Sequence, residues 1–509
     1  MTRMRFHSSR RSRSEAIRCG LTAIASLLLA TATAHATVTI SNDATLNMSC
    51  TNGICAPTAK KAVLNVGDLE NYLAAGNLEV TTTGSGVQAK DIEIDAAVTW
   101  TSASILTLDA HHSVVINRPV AVDGVAGLTV TTNDGGTGDT FSFGPKGNVS
   151  FLDLSSALVI NGASYTLVTS LPSLAAAVNA NPGGAYALAN SYDASQDGIY
   201  GDSPIATELT GTVHGLGNII SHISIDSIPH KHRGEGDILG MFAMVGSTGT
   251  IENLRLNKIS YRNKTKISVG GLVGENEGYI IGDQVAGAII SKGSAGGLAF
   301  ANMPTGMIVS SSARVEVTAP NGLGGGLVAD NSGTITRSHA DGRVGGAGGV
   351  GGLVGSNEGT ISQSYATGDA VLGGLVGSNQ SDGTHGGTIE NSYSTGTVRG
   401  IGGTGGLVGY NTYDAGTVIV SSYSTGVVQS GDGGFVCQTP DTYGNDYWNT
   451  TTSGATYGLC YEENVPGITG LTTQQLQSGL PAGFDPKIWA EKPKINNGFP
   501  YLINNRPEK

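Results

Sequence analysis

The sequence predicts an all-β protein, a right-handed parallel β-helix with a C-terminal capping segment, and the main observation is a short repeat. The phrase Gly-Gly-Leu-Val-Gly-x-Asn has clean copies that begin at Gly351, Gly373 and Gly405. The central apolar residues of all copies, at positions 272, 298, 327, 353, 375, 407 and 435, lie 22 to 32 residues apart. A unit this short cannot bury an apolar face alone, so successive units must stack into a solenoid.

Each unit contains two short strand-like runs, which is the second observation. Leu-Val is the first run, and the second runs from Thr360 to Tyr365, with counterparts at 388–393 and 417–423. Gly and Asn flank both runs, as they flank strands, and no segment has sustained apolar periodicity of 3.6 residues. Strands wound in one direction form a parallel β-helix, whose crossovers are expected to be right-handed.

Small residues recur at the corners of the repeat. Stacked coils lie about 4.8 Å apart, so the Gly pair is expected where the chain needs residues without a Cβ and with access to positive φ. One Asn follows at the same position of six units: Asn276, Asn302, Asn331, Asn357, Asn379 and Asn411. Asn tolerates the left-handed conformation and can bond to an equivalent amide one coil away, so we interpret this column as a turn ladder.

A column of aromatic residues is the candidate ligand-binding feature. Tyr365, Tyr393 and Tyr423 occupy one repeat position, and His339 occupies it in the preceding unit. Exposed rings one coil apart could bind sugar rings or a protein partner by stacking. Packing of the rings within the protein is the alternative, and we favour it.

The chain divides into four predicted segments. These are a signal peptide at 1–36, an irregular β-helix at 37–235, the regular repeats at 236–440 and a cap at 441–509. An Ala-rich stretch, Leu171–Ala180, predicts a short helix within the second segment. Insertions at 381–387 and 412–416 predict loops on one side of the rod, where solenoids often bind ligands.

Export is predicted from the N-terminus. Six Arg residues precede an apolar run at 21–30, and Ala34-His35-Ala36 matches a signal-peptidase site. Removing residues 1–36 takes six Arg and one Glu from 28 basic and 40 acidic residues, which leaves 22 and 39, a net charge of −17. Such an acidic chain is a poor partner for nucleic acids or anionic membranes, and no later apolar run is long enough to span a bilayer.

Four Cys residues remain after that cleavage. Cys50 and Cys55 could close a local loop, and Cys437 could bridge Cys460, although four Cys residues allow three pairings. An oxidising compartment permits such bonds, and the spacing does not fit a zinc site. We therefore expect structural disulfides.

Little in the sequence favours a metal site or catalysis, and no cofactor is expected. Asp193, Ser195 and Asp197 imitate the start of a calcium loop, but Pro204 stands where the bidentate acid should be. His230 and His232, with Glu235 and Asp237, could bind a transition metal, but a solvated loop is favoured. Acids at 91–240 leave a carboxylate pair for glycoside cleavage open.

The repeat resembles the GLUG motif of bacterial surface proteins related to filamentous haemagglutinin. Other stretches resemble further parts of that family: 106–110, 131–136, 184–221, 446–449, 470–476 and 498–502. The resemblance implies an exported, non-enzymatic adhesin or surface interaction rod that binds a glycan or an extracellular protein. A carbohydrate-active β-helix enzyme and a purely structural surface component are the alternatives, because fold does not fix function.

Overall fold

Short parallel strands, stacked one coil above another, form the walls of the protein in a computed structural model. The structure describes residues 36–134, 140–227, 238–381, 386–411, 416–438, 442–460, 462 and 465–507. The predicted signal peptide, except for Ala36, and most of both predicted insertions lie outside the described residues. Residues 36–509 form one compact unit.

The predicted parallel β-helix is confirmed by strand register. Thr334, Ile335 and Thr336 pair with Thr360, Ile361 and Ser362 in parallel, and the same pairing continues from coil to coil. The central Ile of each such strand is fully buried, while its polar neighbours are half-buried. The period-two pattern thus places the apolar column inside the coil.

Three sheets form the walls of the repeat region, and we name them by their sequence. The Leu-Val sheet contains Phe242–Val245, Val273–Asn276, Ala299–Asn302, Val328–Asn331, Val354–Asn357, Val376–Asn379, Val408–Asn411, Gly433–Val436 and Tyr457–Leu459. A flanking five-stranded sheet contains Ile238–Leu239, Ser268–Gly270, Ala295–Gly296, Gly324–Gly325 and Val350–Gly351, and the last four strands each end at the first Gly of a repeat's Gly pair.

The other two walls are longer. The Thr-Ile sheet contains Thr166–Val168, Ala185–Leu188, Thr212–His214, Thr250–Glu252, Tyr279–Ile281, Met307–Val309, Thr334–Thr336, Thr360–Ser362, Thr388–Glu390, Val418–Val420 and Thr442–Gly444. The Ser-Tyr sheet contains Tyr192–Asp193, Ile219–Ser221, Ser224–Ser227, Arg255–Asn263, Gln284–Ser291, Ser312–Ala319, His339–Ala340, Val344–Gly346, Tyr365–Ala366, Tyr393–Ser394, Tyr423–Ser424, Asp446–Asn449 and Ile468–Leu471.

The N-terminal part has its own three sheets. The first contains Phe141–Phe143, Val114–Ile116, Asp91–Ile94, Thr37–Ser41 and Lys61–Asn65. The second contains Ala163–Ser164, Ala157–Ile160, Gly127–Thr131, Ile105–Asp109, Leu78–Thr81, Ile54–Pro57 and Met48–Thr51. The third contains Val149–Phe151, Val120–Val122 and Val98–Trp100. Two small hairpins pair Thr83–Gly84 with Val87–Gln88 and Trp489–Ala490 with Tyr501–Leu502.

Few helices occur among the described residues. The predicted helix is present at Leu171–Ala180, where Ser170 caps the first turn by accepting from the Ser173 amide. Helices also form at Val66–Ala75 and Thr473–Leu476, and 3₁₀ turns at Ala194–Gln196 and Asn496–Gly498.

The sheets change earlier than the predicted boundary at residue 235. The N-terminal sheets end at Ala163–Ser164, and the repeat sheets begin at Thr166–Val168. Asn218 joins the two parts, because its side-chain amide donates to the carbonyl oxygens of Val149 and Leu188. The sequence repeat becomes recognisable only several coils after the repeat sheets begin.

The six Asn residues form a continuous side-chain ladder. Each side-chain amide donates to the next side-chain oxygen at 2.7–3.0 Å: Asn276 to Asn302, Asn302 to Asn331, Asn331 to Asn357, Asn357 to Asn379 and Asn379 to Asn411. All six are buried strand residues and none is among the positive-φ residues. The expected hydrogen bonds therefore form, but the expected left-handed conformation does not.

A second ladder, made by Ser residues, was not predicted. The backbone amide of each Ser donates to the hydroxyl one coil on: Ser311 to Ser338, Ser338 to Ser364, Ser364 to Ser392 and Ser392 to Ser422. The residue before each Ser has a positive φ, as at Arg337 and Gln363. The left-handed corner of the repeat is therefore here, between the Thr-Ile and Ser-Tyr strands.

Gly is required in the pair because a Cβ would clash with the next coil, and not because the backbone has a positive φ. A Cβ on Gly374 would lie 2.1 Å from the carbonyl oxygen of Gly406, and a Cβ on Gly352 would lie 2.1 Å from that of Gly374. Neither residue has a positive φ. Adjacent coils approach each other so closely at these positions that no side chain fits.

Replacing Gly374 by Ala should therefore lower the stability of the stack. Backbone on the neighbouring coil must move, and overpacking of this kind costs about 1–3 kcal/mol. Gly402→Ala is the matched control, since a Cβ there meets nothing within 4 Å. Urea midpoints of the two variants and the parent measure the difference, and equal midpoints for both variants would contradict the close-packing explanation.

Both expected disulfides are present. Cys50 bonds to Cys55 across a hairpin, and Cys437 bonds to Cys460 across a separation of 23 residues. The second bond ties the end of the last repeat to the strand that follows it in the Leu-Val sheet. It therefore fastens the C-terminal coil to the stack.

Removing the two disulfides should have unequal effects. In the chain-entropy description, a loop of 23 residues contributes roughly 3 kcal/mol and one of five residues about 2 kcal/mol. The double variants Cys437→Ser/Cys460→Ser and Cys50→Ser/Cys55→Ser, each compared with the parent by urea denaturation, test this order. A larger loss from the Cys50–Cys55 pair would reverse it.

Candidate functional site

The Tyr column lies on the outer face of the Ser-Tyr sheet but is not exposed. Adjacent rings stack with centroids 4.9 Å apart for Tyr365 and Tyr393 and 5.0 Å apart for Tyr393 and Tyr423. His339 continues the stack on Tyr365 at 4.7 Å, with planes 4° apart. All three Tyr side chains have 0% exposure.

The C-terminal residues cover this column, and we call residues 472–507 the clasp. Leu476, Phe484, Trp489 and Leu502 from the clasp form one apolar cluster with the Tyr rings. The Tyr423 hydroxyl donates to the carbonyl oxygen of Pro500. The clasp therefore lies along the side of the stack, whereas the sequence predicted only that this segment would cover the end of the stack.

The Tyr rings pack within the protein in this structure. A ring face under the clasp cannot stack on a sugar, so the Tyr365, Tyr393 and Tyr423 column is a packing surface in this structure. Burial also raises the pKa of Tyr393 and Tyr423 well above the ordinary value. The sequence could not distinguish these uses, because a segment distant in the chain covers the rings on the outer face.

The same column becomes polar where the clasp ends. Register places Tyr365 beside His339, then Ser312, Gln284 and Arg255 on successive coils. A parallel column two residues further along the strands contains Asn257, Ala286, Arg314 and Asp341. These four residues, together with His339, Ser312, Gln284 and Arg255, form the floor of a groove of about 300 Å³, which we call the sheet groove.

Two distant parts of the chain contact the residues of the sheet groove. Phe143 and Pro145, from the N-terminal part, line one end. At the other end, Nδ1 of His339 lies 3.2 Å from Oδ1 of Asn505 in the clasp. The N-terminal part therefore supplies one wall of the groove, and the clasp contacts the floor residue His339 at the other end.

Arg255 fastens the N-terminal wall. Its Nη2 donates to the carbonyl oxygens of Gly144 at 2.8 Å and Phe143 at 3.4 Å, and its Nη1 donates to that of Gly147 at 3.3 Å. Burial lowers its pKa from the ordinary value. Among the described residues, no carboxylate lies within 4.0 Å of this guanidinium.

The far end of the floor carries both signs of charge. Nη2 of Arg314 lies 3.4 Å from Oδ2 of Asp341, and Nε2 of His339 lies 3.9 Å from the same oxygen. Oδ1 of Asp341 accepts a hydrogen bond from the Thr367 hydroxyl at 2.7 Å. This end of the groove therefore presents hydrogen-bonding groups of both charges, held in place by contacts with one another.

A β-bulge lies in the floor of the groove. Leu256 pairs with Val285 and Ile259 with Gly287, so Asn257 and Lys258 together oppose a single residue. Lys258 has a φ of 55°, which is uncommon for a non-Gly residue. Bulges often occur beside functional sites because they redirect side chains, and this one lies at Asn257.

The other predicted candidates do not assemble into a site. Asp193 contacts the amide of Ser195 and the ring of His222, whereas Asp197 accepts from Tyr192 and Tyr200. The His230, His232, Glu235 and Asp237 group lies outside the described residues. In the part of the chain that the structure covers, no three His, Cys, Asp or Glu residues are placed to hold a metal ion.

The sheet groove was not predicted from the sequence, although the strand lengths carried a signal. Strands Arg255–Asn263, Gln284–Ser291 and Ser312–Ala319 are 8 or 9 residues long, against two residues for the Tyr strands. Aligning the units by repeat position would have shown Arg, Gln and Ser where later units have Tyr. Only the fold shows that this polar stretch is left uncovered.

The described part of the chain contains no helix long and apolar enough to cross a membrane.

Comparisons with known proteins agree with the architecture. A family described as "The GLUG motif" matches residues 346–372 and 370–399. Halomucin from Haloquadratum walsbyi is 27% identical over 316 residues, which cover 57% of this chain. The matched region spans 3% of that much longer protein.

A solved structure is also similar at low identity. It is a proposed immunoglobulin A1 protease from Bacteroides ovatus, with 15% identity and a TM-score of 0.33, covering 67% of this chain and 93% of that one. The motif matches coincide with coils whose Leu-Val, Thr-Ile and Ser-Tyr strands stack in register. The chain therefore contains GLUG motifs within its parallel β-helix.

Proposed function

We propose that the protein is an exported, non-enzymatic surface rod that acts as an adhesin and binds an extracellular ligand in the sheet groove. The single observation that carries this proposal is the groove itself. It is an uncovered polar stretch of a sheet face whose neighbouring coils are covered by the clasp. The local likeness to Halomucin supports placement at the cell surface.

The geometry favours binding of an extended ligand, such as a glycan. Hydrogen-bonding side chains repeat along the rod at the spacing of the coils, about 4.8 Å. Amides at Asn257 and Gln284, the carboxylate of Asp341 and the guanidinium of Arg314 can each bond to hydroxyl groups. Phe143 and Pro145 add an apolar wall against which a sugar ring can pack.

Binding of the purified 36–509 unit to a glycan and extracellular-matrix array tests the proposal, with release of reducing or unsaturated sugar assayed in the same wells. Saturable binding without product release is expected. Ala286→Trp, which fills the floor of the groove, should abolish that binding. Ile290→Trp, on the same strand and face but outside the groove, should retain it.

Three outcomes would contradict this proposal. Product release would identify a carbohydrate-active enzyme, and the search for acids would begin at Asp341. Binding that survives Ala286→Trp would place the ligand elsewhere on the rod. An absence of binding to every array ligand would remove support for the adhesin and favour a purely structural surface component.

A further inference from the structure

Arg255 is a half-buried cation without an anionic partner among the described residues. Its hydrogen-bond acceptors are the neutral carbonyl oxygens of Phe143, Gly144 and Gly147. Buried charges in proteins are normally paired, because carbonyl dipoles compensate only part of the lost hydration. A guanidinium in this state beside an open groove is a candidate anion-binding group.

The location of Arg255 makes such pairing feasible. It lines the sheet groove together with Phe143 and Pro145 at the N-terminal end of the floor. The neighbouring floor residues on its own coil and the next, Asn257 and Gln284, are uncharged amides. An anion placed there meets a cation and amide donors without a facing carboxylate.

The groove also differs in charge from the protein as a whole. The chain has a formal net charge of −12. By contrast, the described charged side chains that line the groove are Arg255 and Arg314, with Asp341 as the one carboxylate beside Arg314. An excess of positive charge in a concave site attracts an anionic ligand that the rest of the surface repels.

The amide groups and the apolar wall favour an anion that also has hydroxyl groups and an apolar face over a small inorganic anion. A small inorganic anion would use Arg255 but not the hydroxyl-binding groups along the following three coils. A saccharide with a carboxylate uses both, since its ring can pack on Phe143 and Pro145 while its hydroxyls reach the amides. Arginine presents parallel N–H donors that suit a planar carboxylate.

We propose that the sheet groove binds an acidic saccharide and that the Arg255 guanidinium pairs with its carboxylate. This inference rests on the proposed function, and it names the ligand class of the same groove. The saccharide lies along the rod, with its carboxylate at the N-terminal end and its neutral hydroxyls toward Asp341.

A matched pair of polymers tests the ligand class. Binding of the 36–509 unit is measured by calorimetry to oligogalacturonate and to the same oligomer with its carboxylates methyl-esterified. We expect the ester to bind at least ten-fold more weakly, because a hydrogen bond to a charged group contributes about 1.5–3 kcal/mol. Affinity for the acid form should fall as salt is raised.

A charge-introduction pair tests the location without disturbing the loop that Arg255 holds. Ala286→Glu places a carboxylate in the floor between the two Arg residues and should weaken oligogalacturonate binding ten-fold or more. Ile290→Glu adds the same charge on the same strand and outward face, outside the groove, and should leave the affinity unchanged. Circular dichroism of both variants checks that the fold is retained.

The remaining outcomes separate this inference from the function on which it rests. Equal binding of acid and ester, or loss of affinity in Ile290→Glu equal to that in Ala286→Glu, would overturn the inference. Binding of dextran sulfate but not oligogalacturonate would overturn the carboxylate assignment. If neither polymer binds while a neutral array ligand does, the inference fails and the proposed function stands; if nothing on the array binds, both fail.

Discussion

Trp489→Ala should release the clasp from the Tyr column. Trp489 is 1% exposed, its ring centroid lies 4.6 Å from that of Phe484 and 5.8 Å from that of Tyr423, and its Nε1 donates to Asn391. Truncating a buried Trp to Ala costs about 3–5 kcal/mol. Trp489 is the largest buried side chain of the clasp and contacts both Tyr393 and Tyr423, so we expect this loss to undock the clasp.

Titration of tyrosine absorbance measures the undocking directly. Tyr393 and Tyr423 are buried in the parent and have a raised pKa, so their ionisation is delayed to high pH. In the variant, both hydroxyls should meet water and ionise near the ordinary value of about 10. Protease cleavage within 472–507 should accelerate in parallel.

A matched control for this variant is Ile401→Ala. Ile401 is 102% exposed, so its truncation should change neither the tyrosine titration nor the rate of cleavage. A Trp489→Ala protein with the titration curve of the parent would show that the clasp docks independently of its central aromatic residue, contrary to the packing described above.

Asn357→Asp should strongly destabilise the Asn ladder although the two side chains have the same shape. The Asn357 side chain accepts from Asn331 at 2.7 Å and donates to Asn379 at 2.8 Å, with 0% exposure. An ionised Asp can still accept, but its second oxygen faces the Asn379 acceptor and the carbonyl oxygen of Gly359. A buried charge facing two acceptors should cost on the order of 3 kcal/mol at pH 7.

The loss in this variant should depend on pH in a defined direction. Burial and the facing oxygens raise the folded-state pKa of the new carboxyl above its unfolded value of about 3.9. The penalty is therefore full above the folded pKa and disappears as pH falls below the unfolded pKa, where both states are protonated. A protonated Asp also has an O–H that can donate to Asn379.

Urea midpoints of Asn357→Asp and the parent at pH 7 and near pH 3.5 test this expectation. Asn321→Asp is the control, because it makes the same change at an exposed position. A deficit in Asn357→Asp of the same size at both pH values would mean that lost geometry, rather than buried charge, causes the destabilisation.

Much of the architecture was predictable because it is local and repeated. The spacing of Leu353, Leu375 and Leu407 predicts stacked coils, and the Asn column predicts hydrogen bonds between them. Both disulfides join Cys residues that are neighbours in the chain, which is one of the three pairings that four Cys residues allow. Each of these features joins equivalent positions of adjacent coils or Cys residues close in the chain.

For the Gly pair, the sequence predicted the right residues at the corner of the repeat but the wrong physical reason for them. The Gly pair was expected to need positive φ, but Gly374 is required by a carbonyl oxygen of the next coil. The left-handed corner lies instead before the Ser column, at residues such as Gln363. A repeated residue shows that a position is constrained, but the constraint itself depends on how closely two coils approach.

The candidate site was not predictable in the same way. Arg255 reaches residues 143–147, more than 100 positions earlier, and His339 reaches Asn505, 166 positions later. No repeat spacing encodes these contacts, because each is made once. The sequence therefore places Tyr365, Tyr393 and Tyr423 in one column without showing that the clasp covers them.

The sequence by itself determined the coil, its period, its inward Leu, Val and Ile columns and the residues that join one coil to the next. The tertiary structure decided which part of the outer Ser-Tyr face is buried and which is open. The physical reason is that stacking depends on period and residue size within the repeat. Exposure of an outer face depends on where the two non-repeating parts of the chain pack, namely the N-terminal part and the clasp.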